Sequence, residues 1–326
     1  MMNLLSKLYA SWNLRTPDFP RRLQIETTNR CNASCSMCPI LKMKRPKGDM
    51  SFELWAKLTA ELKDRPALRR VMLHVMGEPL LHPRFAEMFR YLREEAPHQP
   101  VEFSTNGSVL TSEKAEELVE IGFEQINFSL DACSPETHAK IRKGLYFQKV
   151  MANLEGLIEI VARAGKNKPR VLIQMIKMDV NRDEWREFEE RWQGLAERHS
   201  FFELYVKEQW SWGGYLDSGQ AEMEREKGFL ALPCSFPFDQ LDVYCDGRVG
   251  FCCLDEDAHL AVGDLNKQSL AEIWNSERMA EIRRKFKRMD FSGLRCAECG
   301  ERLRYRSLAE VGARPRRWLK RLSGRG

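Results

Sequence analysis

The sequence predicts an α/β protein: a partly open barrel of six βα units wrapped by helices, followed by a small cysteine-rich domain. Three observations point there. From about residue 20 to 209, short β-branched runs alternate with longer helical patterns, as parallel βα units do. Polar residues recur on one face of those strands. The ten cysteines of this 326-residue chain fall into an N-terminal triplet, a lone Cys133 and a C-terminal group.

Composition narrows the class. An apolar fraction of 43% with 30% charged residues is that of a soluble globular protein, and the length suits about two domains. No apolar run approaches the ~18 residues of a membrane span, so no transmembrane segment is expected. The net charge of +5 gathers partly in the closing ARPRRWLKRLSGRG, a tail over 303–326 that reads as a solvated terminus, with no nucleic acid expected as a partner. Residues 1–19 place Leu4, Leu5, Leu8, Tyr9 and Trp12 on one helical face, predicting a helix docked on the barrel; its apolar stretches are too short for a secretory signal. Without such a signal, ten cysteines read as metal ligands in a reducing cytoplasm.

The expected strands are Leu23 to Thr28, Val71 to Met76, Val101 to Thr105, Gln125 to Leu130, Val171 to Lys177 and Phe202 to Lys207. Between them Ser51 caps a first helix, Thr111 begins another that stops at Gly122, Ser134-Pro135 starts a third, and Asn181 with Glu184 has capping-box spacing. Because side chains alternate across a strand, Gln24, Glu26 and Thr28 share a face, as do Ser104 and Asn106, then Asn127, Ser129 and Asp131, then Tyr205 and Lys207. Leu23, Ile25, Ile126, Phe128, Leu130, Leu204 and Val206 take the other face and suit packing against helices. A closed barrel fills its interior with branched apolar residues. A polar interior therefore predicts a barrel left partly open around a polar ligand, with the site in the loops at the strand C-terminal ends.

The chemistry centres on TTNRCNASCSMCP, where Cys31, Cys35 and Cys38 have the spacing C-x3-C-x2-C. Three thiolates are one short of the four that usually hold a 4Fe-4S cube, which leaves one iron open for chemistry. A zinc knuckle is the plainer alternative. On these residues the chain resembles the radical S-adenosylmethionine (SAM) superfamily, whose signature is C-x3-C-x-aromatic-C; Met37 stands at the aromatic position, where a polarizable thioether replaces a ring. The resemblance implies a partial (β/α)6 barrel in which SAM chelates the open iron and is cleaved to a 5'-deoxyadenosyl radical. Met76-Gly77-Glu78-Pro79 resembles the family's GGEP motif, so Gly77 and Glu78 would receive the SAM amino group. Ser104, Asn106, Ser129 and Asp131 resemble the family's polar strand ends facing ribose and carboxylate; read singly, they are also ordinary turn residues.

Other residues point to substrate. His74 shares a strand face with Met72 and Met76 and reads either as a proton acceptor in the cavity or as a hydrogen-bonded core histidine. Gln174, Lys207 and Glu208 lie where a substrate would sit. The segment 209–214, QWSWGG, offers two tryptophans that would stack on a sugar or peptide or fill the gap between domains. A linker spans 210–230.

The second domain, 231–302, carries Cys234, Gly247 and Cys252 as C-x12-G-x4-C, then Cys296-x2-Cys299. Asp246-Gly247 reads as a hairpin turn, and Ser269 with Glu272 as a capping box for a helix through Trp274. This resembles the auxiliary-cluster half of a SPASM domain, called a twitch domain, and implies a second 4Fe-4S cluster on those four cysteines, Cys253 being the alternative to Cys252. A zinc ribbon would use the same ligands. Of the remaining thiols, Cys133 or Cys253 could donate a hydrogen atom to a substrate radical, or simply pack.

The expected activity is hydrogen abstraction from an unactivated C–H, favoured as dehydrogenation of a sugar-like or cyclitol alcohol with the auxiliary cluster accepting the second electron. The alternatives are a radical epimerase, a peptide-maturing enzyme and, from another class, a non-catalytic zinc or iron-sulfur module. The implied partners are an external electron donor such as flavodoxin or ferredoxin and a small-molecule or peptide substrate.

Overall fold

The outward faces of the strands carry the core. In a computed structural model of the chain, which describes residues 14–165, 168–209 and 230–306, Leu23, Ile25, Val71, Val101, Phe103, Ile126, Phe128, Val171 and Ile173 are all fully buried. Each contributes roughly 1.5–3 kcal/mol relative to exposure. The expected N-terminal helix, the QWSWGG tryptophans, the linker helix and the tail beyond residue 306 lie outside the described residues.

Two compact units form. The larger comprises Pro17–Gln209 and Asp239–Ser276; the described part of the smaller comprises 14–16, 230–238 and 277–306. In the larger unit, β1 (Arg22–Ile25), β2 (Arg70–Met72), β3 (Val101–Thr105), β4 (Gln125–Ser129), β5 (Arg170–Lys177) and β6 (Phe202–Glu208) lie side by side in chain order, all parallel. The six predicted βα strands are present and the sheet stays open, with β6 at one edge.

The other edge differs from expectation. After β7 (Leu230–Pro233) in the smaller unit, β8 (Gln240–Val243) joins β1 in parallel, and β9 (Arg248–Gly250) and β10 (Gly263–Asp264) follow antiparallel, giving nine strands. The hairpin at Asp246-Gly247 forms as predicted, with Gly247 at φ +91. It extends the barrel sheet because β1 offers an open ladder and a matching apolar face: Leu23 pairs with Leu241 and Ile25 with Val243, all four fully buried. In the smaller unit β7 pairs antiparallel with β11 (Leu303–Arg306), so residues expected in the tail are strand.

Strands β1 and β2 end sooner than their patterns suggested. Thr28 leaves the ladder to bridge Asp49, its hydroxyl donating to the Asp49 carboxylate at 2.6 Å. The chain after Met72 bends until the Met76 amide reaches the Glu26 carboxylate at 3.3 Å.

Helix ends follow the caps. Ser51 accepts from Leu54 N to start α1 (Phe52–Leu62), and α2 (Phe85–Glu95) follows β2. Thr111 starts α3 (Ser112–Ile121), which ends at left-handed Gly122, and Ser134 starts α4 (Pro135–Ile141). Next come α5 (Phe147–Arg163) and α6 (Trp185–Arg198). The capping box expected at Asn181 and Glu184 is not formed. Glu184 reaches instead across to α4, accepting from Cys133 N and Ser134 Oγ, both at 2.7 Å, while the Asn181 amide ties down the Asp131 and Ile176 carbonyls at 2.9 Å each. The capping oxygen of Asn181 is already taken by the Met178 amide at 2.7 Å, and Glu184 by a second helix's N-terminus, so neither is left for a box on α6. The Ser269–Glu272 box does form, at α7 (Leu270–Trp274); α8 (Glu277–Arg288) belongs to the smaller unit.

Candidate functional site

The cysteine triplet leaves the C-terminal end of β1 in a loop docked on the segment after α4. Ser34 N donates to Lys143 O at 2.8 Å, Ser36 N to Ile141 O at 2.9 Å, and Cys38 N to Cys35 O at 3.0 Å. Cys35 is buried, Cys31 and Cys38 are half-buried, and no disulfide engages any of the ten cysteines. Burial pushes the Cys31 thiol up to about 12 and Cys38 up to about 11, so these thiols stay protonated at neutral pH until a metal displaces the protons. Two cations face them. Arg142 Nη1 donates to Cys35 Sγ at 3.5 Å, and the Lys47 ammonium, bonded to Asn29 O at 3.2 Å, is within electrostatic reach of Cys31 and Cys38.

That donor set fits a thiolate-held anionic cluster. Three cysteines on one short loop, faced by two cations, suit an anionic centre bound through sulfur.

The loops after β1, β2 and β3 are locked together around Glu78. Its carboxylate accepts from Asn106 N at 2.7 Å, Thr105 Oγ1 at 2.8 Å and Leu80 N at 3.2 Å, and its amide donates to Arg30 O at 2.8 Å. Asn106 Nδ2 in turn donates to Asn32 Oδ1 at 3.0 Å, inside the cysteine loop. Burial raises the Glu78 carboxyl to about 7 against the pull of those donors. Gly77 makes the approach possible: at φ +86, a Cβ there would lie 2.3 Å from the Thr28 carbonyl oxygen. Met37 is buried, and Ser104 and Ser129 are partly exposed on the inner face.

Glu26 anchors a second network that spacing alone did not reveal. Fully buried on the inner face, it holds Arg45 in a fork with Nη1 and Nη2 both at 2.7 Å, and it accepts from Met76 N and Cys245 N at 3.3 Å each. Arg45 Nε continues to Glu256 O at 2.6 Å, and the guanidinium lies 4.7 Å from the Tyr244 ring centroid. The chain just beyond the triplet is thereby tied to the region after β9.

Polar side chains line the interior, as the alternation predicted. Deep in it Gln125 Nε2 donates to Asn127 Oδ1 at 2.6 Å, and Glu102 pairs with Arg70. Toward the loops, Lys207 lies within reach of Asp131, Cys253, Arg142 and Arg70, and burial lowers its pKa. His74 is hydrogen-bonded with the Gly77 backbone and kept neutral, down to about 4, by burial and by the Arg142 and Lys207 charges. Asp131, expected against the nucleotide, has both carboxylate oxygens taken by the protein: one by Arg142, the other by Ile176 N at 2.8 Å. Cys133 points at α6, its thiol donating to Glu184 O at 3.5 Å.

The C-terminal cysteines are divided between the units. Cys234, Cys296 and Cys299 belong to the smaller, where Cys234 N donates to Arg302 O at 2.9 Å and Cys299 N to Cys296 O at 3.3 Å. Burial, with Glu301 beside it, drives the Cys299 thiol far up. Cys252 and Cys253 follow β9 in the larger unit; Cys252 neighbours Tyr244, while Cys253 neighbours Lys207 and Arg70.

An open parallel sheet with a polar inner face and a thiol triplet at its C-terminal rim defines a class. The chain belongs to the radical SAM superfamily, whose family model matches residues 25–191. Within it, this is a radical SAM enzyme carrying a SPASM iron-sulfur cluster-binding domain, matched over 234–300, and such an enzyme takes SAM and 4Fe-4S clusters, an auxiliary one included. A tungsten-containing aldehyde ferredoxin oxidoreductase cofactor-modifying protein of Pyrococcus furiosus is 30% identical over 155 residues, 47% of this chain and 43% of that one. The chain thus spans less than half the length of the first curated relatives it matches. The S-adenosyl-L-methionine-dependent 2-deoxy-scyllo-inosamine dehydrogenase of Niallia circulans is 22% identical over 266 residues, 81% of this chain and 86% of that one. The crystal structure of BtrN in complex with AdoMet and 2-DOIA shares the fold, with a TM-score of 0.60 at 20% identity over 86% of this chain and 92% of that one. Among the described residues no helix is long and apolar enough to cross a membrane.

Arg142 and Arg45 are the site residues that sequence reading missed. Arg142 lies 107 positions from Cys35, beyond any spacing rule. Arg45 follows Cys38 closely, and its signal was only an arginine beside a cysteine-rich run.

Proposed function

We propose that the chain dehydrogenates a sugar-like or cyclitol alcohol, drawing electrons for SAM cleavage from a flavodoxin or ferredoxin. The observation that carries this is the polar interior, where Gln174, Tyr205, Lys207 and His74 lie on the inner side of an open sheet. Such a surface suits a polyhydroxylated ring better than an apolar substrate. The likeness, over 81% of the chain, to a 2-deoxy-scyllo-inosamine dehydrogenase supports the same reading.

In this proposal Cys31, Cys35 and Cys38 hold the SAM-binding cluster, Gly77 and Glu78 receive the SAM amino group, and Met37, Ser104, Asn106 and Ser129 border the nucleoside. Cys234, Cys252, Cys296 and Cys299 hold the auxiliary cluster. The proximity of Cys253 to Lys207 and Arg70 supports leaving Cys252 as the ligand. When bound, these cofactors supply hydrogen-atom abstraction from an unactivated carbon. The chain's own residues do the rest. Lys207 donates a hydrogen bond to the alcohol oxygen, and neutral His74 accepts the hydroxyl proton; the auxiliary cluster, when bound, would supply the acceptor for the second electron.

The test is anaerobic. Enzyme loaded with iron and sulfide, reduced and given SAM with a panel of cyclitols, aminocyclitols and sugars should form 5'-deoxyadenosine and ketone in equal amounts, with deuterium passing from a labelled carbinol carbon to deoxyadenosine. Cys35→Ala should lose about four irons per chain and all deoxyadenosine. A redox-neutral product carrying solvent deuterium would replace dehydrogenation with epimerisation through Cys253.

A further inference from the structure

Arg142 is held between a carboxylate and a cysteine sulfur in the buried rim of the sheet. Its Nη1 donates to Cys35 Sγ at 3.5 Å and its Nη2 pairs with Asp131. The pair is almost dry: the Arg142 side chain is 11% exposed and Asp131 0%. Nor can Asp131 swing away. Its Oδ1 accepts from Ile176 N at 2.8 Å, its carbonyl accepts from Asn181 Nδ2 at 2.9 Å, and its backbone sits at φ +63. Asp131 therefore fixes where the guanidinium points, and it points at a thiol of the triplet.

Hydrogen bonds and charge at a ligating sulfur are among the levers that set an iron-sulfur potential. A reduced cluster is one unit more negative than an oxidised one, so a cation donating to its ligand favours the reduced form. A buried carboxylate on the far side of that cation offsets part of the effect. Resting on the reading of Cys35 as a cluster ligand, we infer that the Asp131–Arg142 pair is a redox-tuning device, with Arg142 raising the reduction potential of the SAM-binding cluster and Asp131 both aiming the guanidinium and limiting the rise.

The two ends of the device should move the potential in opposite directions. An EPR-monitored redox titration of the iron-loaded, SAM-free enzyme reads the midpoint directly, with iron and sulfide counted on the same samples. Arg142→Gln should give a lower midpoint than wild type and Asp131→Asn a higher one, at unchanged iron content. Arg142→Lys, which keeps the charge and loses the fork, should fall between wild type and Arg142→Gln. Equal midpoints, or shifts of the same sign in Arg142→Gln and Asp131→Asn, overturn the inference, because lost packing would disturb both in one direction. Should Arg142→Gln fail to take up iron, Arg142→Lys and Asp131→Asn decide it: lower for the first and higher for the second supports the device, and an unchanged midpoint in either removes it. The ligand reading has its own control. If Cys35→Ala keeps its full iron and still cleaves SAM, the triplet assignment fails, whatever the midpoints of the other variants.

Discussion

Replacing Arg45 by methionine should be among the most damaging single changes in the larger unit. The Glu26 carboxylate is fully buried and accepts two short hydrogen bonds, at 2.7 Å each, from Arg45, two long ones, at 3.3 Å each, from the Met76 and Cys245 amides, and a further one from the Cys245 thiol. Taking away the guanidinium leaves an anion out of water with only two long amide bonds and a weak thiol donor, which costs about 3–5 kcal/mol. The Glu256 carbonyl, 2.6 Å from Arg45 Nε, loses its donor as well, adding about 1 kcal/mol. Combining Arg45→Met with Glu26→Gln removes the buried charge while the glutamine oxygen keeps one amide partner. The double variant should therefore be more stable than Arg45→Met alone, yet about 2–4 kcal/mol below wild type, for the amide left unpaired and the Glu256 carbonyl that still lacks its donor. Anaerobic urea unfolding of the iron-loaded chain is the assay. With a slope of about 3 kcal/mol per molar, Arg45→Met should lower the midpoint by more than ~1 M and the double variant by roughly half as much. Additive losses, with the double variant worse than either single one, would refute the claim that an uncompensated buried charge dominates.

Three further outcomes follow from the same geometry. Burial raises the folded-state pKa of Glu78 from 4.5 to about 7, so its contribution to stability is fully present below pH ~4.5 and is lost as pH rises through 7; unfolding of the cofactor-free chain at pH 5 and pH 8 should show a decline of which Glu78→Gln removes roughly 2.5 kcal/mol. Gly77→Ala forces a Cβ to 2.3 Å from the Thr28 carbonyl oxygen in a left-handed backbone, and should cost more than ~2 kcal/mol while abolishing SAM binding measured by equilibrium dialysis. His138 is fully buried, with neither ring nitrogen bonded, and packs 5.3 Å from the Phe147 ring; His138→Phe should leave the chain as stable or about 1 kcal/mol more so in urea unfolding, and a clear loss would show that the imidazole has a polar role.

Much of this chain could be read before it was folded. The six parallel strands, β1 and β2 shorter than their patterns, the polar inner face, the starts of α1, α3, α4 and α7 and the stop at Gly122 are all present. These features are governed by interactions within a few residues: side-chain alternation, a hydroxyl reaching an amide three positions on, a glycine that tolerates positive φ. The cysteine spacing belongs with them, since it puts three thiols on one short loop whatever the rest of the fold does.

What tertiary structure decided is of longer range. Nothing near Glu184 in the chain showed that it would leave its own helix to cap α4, and nothing near Asp131 showed that its carboxylate would be consumed by Arg142 and Ile176 N. The β8–β10 hairpins could have stood apart, yet the open ladder and apolar face of β1 drew them into the barrel sheet. Arg45 on Glu26 and Arg142 on Cys35 are choices of the same kind. A buried charge must find a partner wherever the fold supplies one, and the identity of that partner exists only once strands far apart in the chain lie side by side.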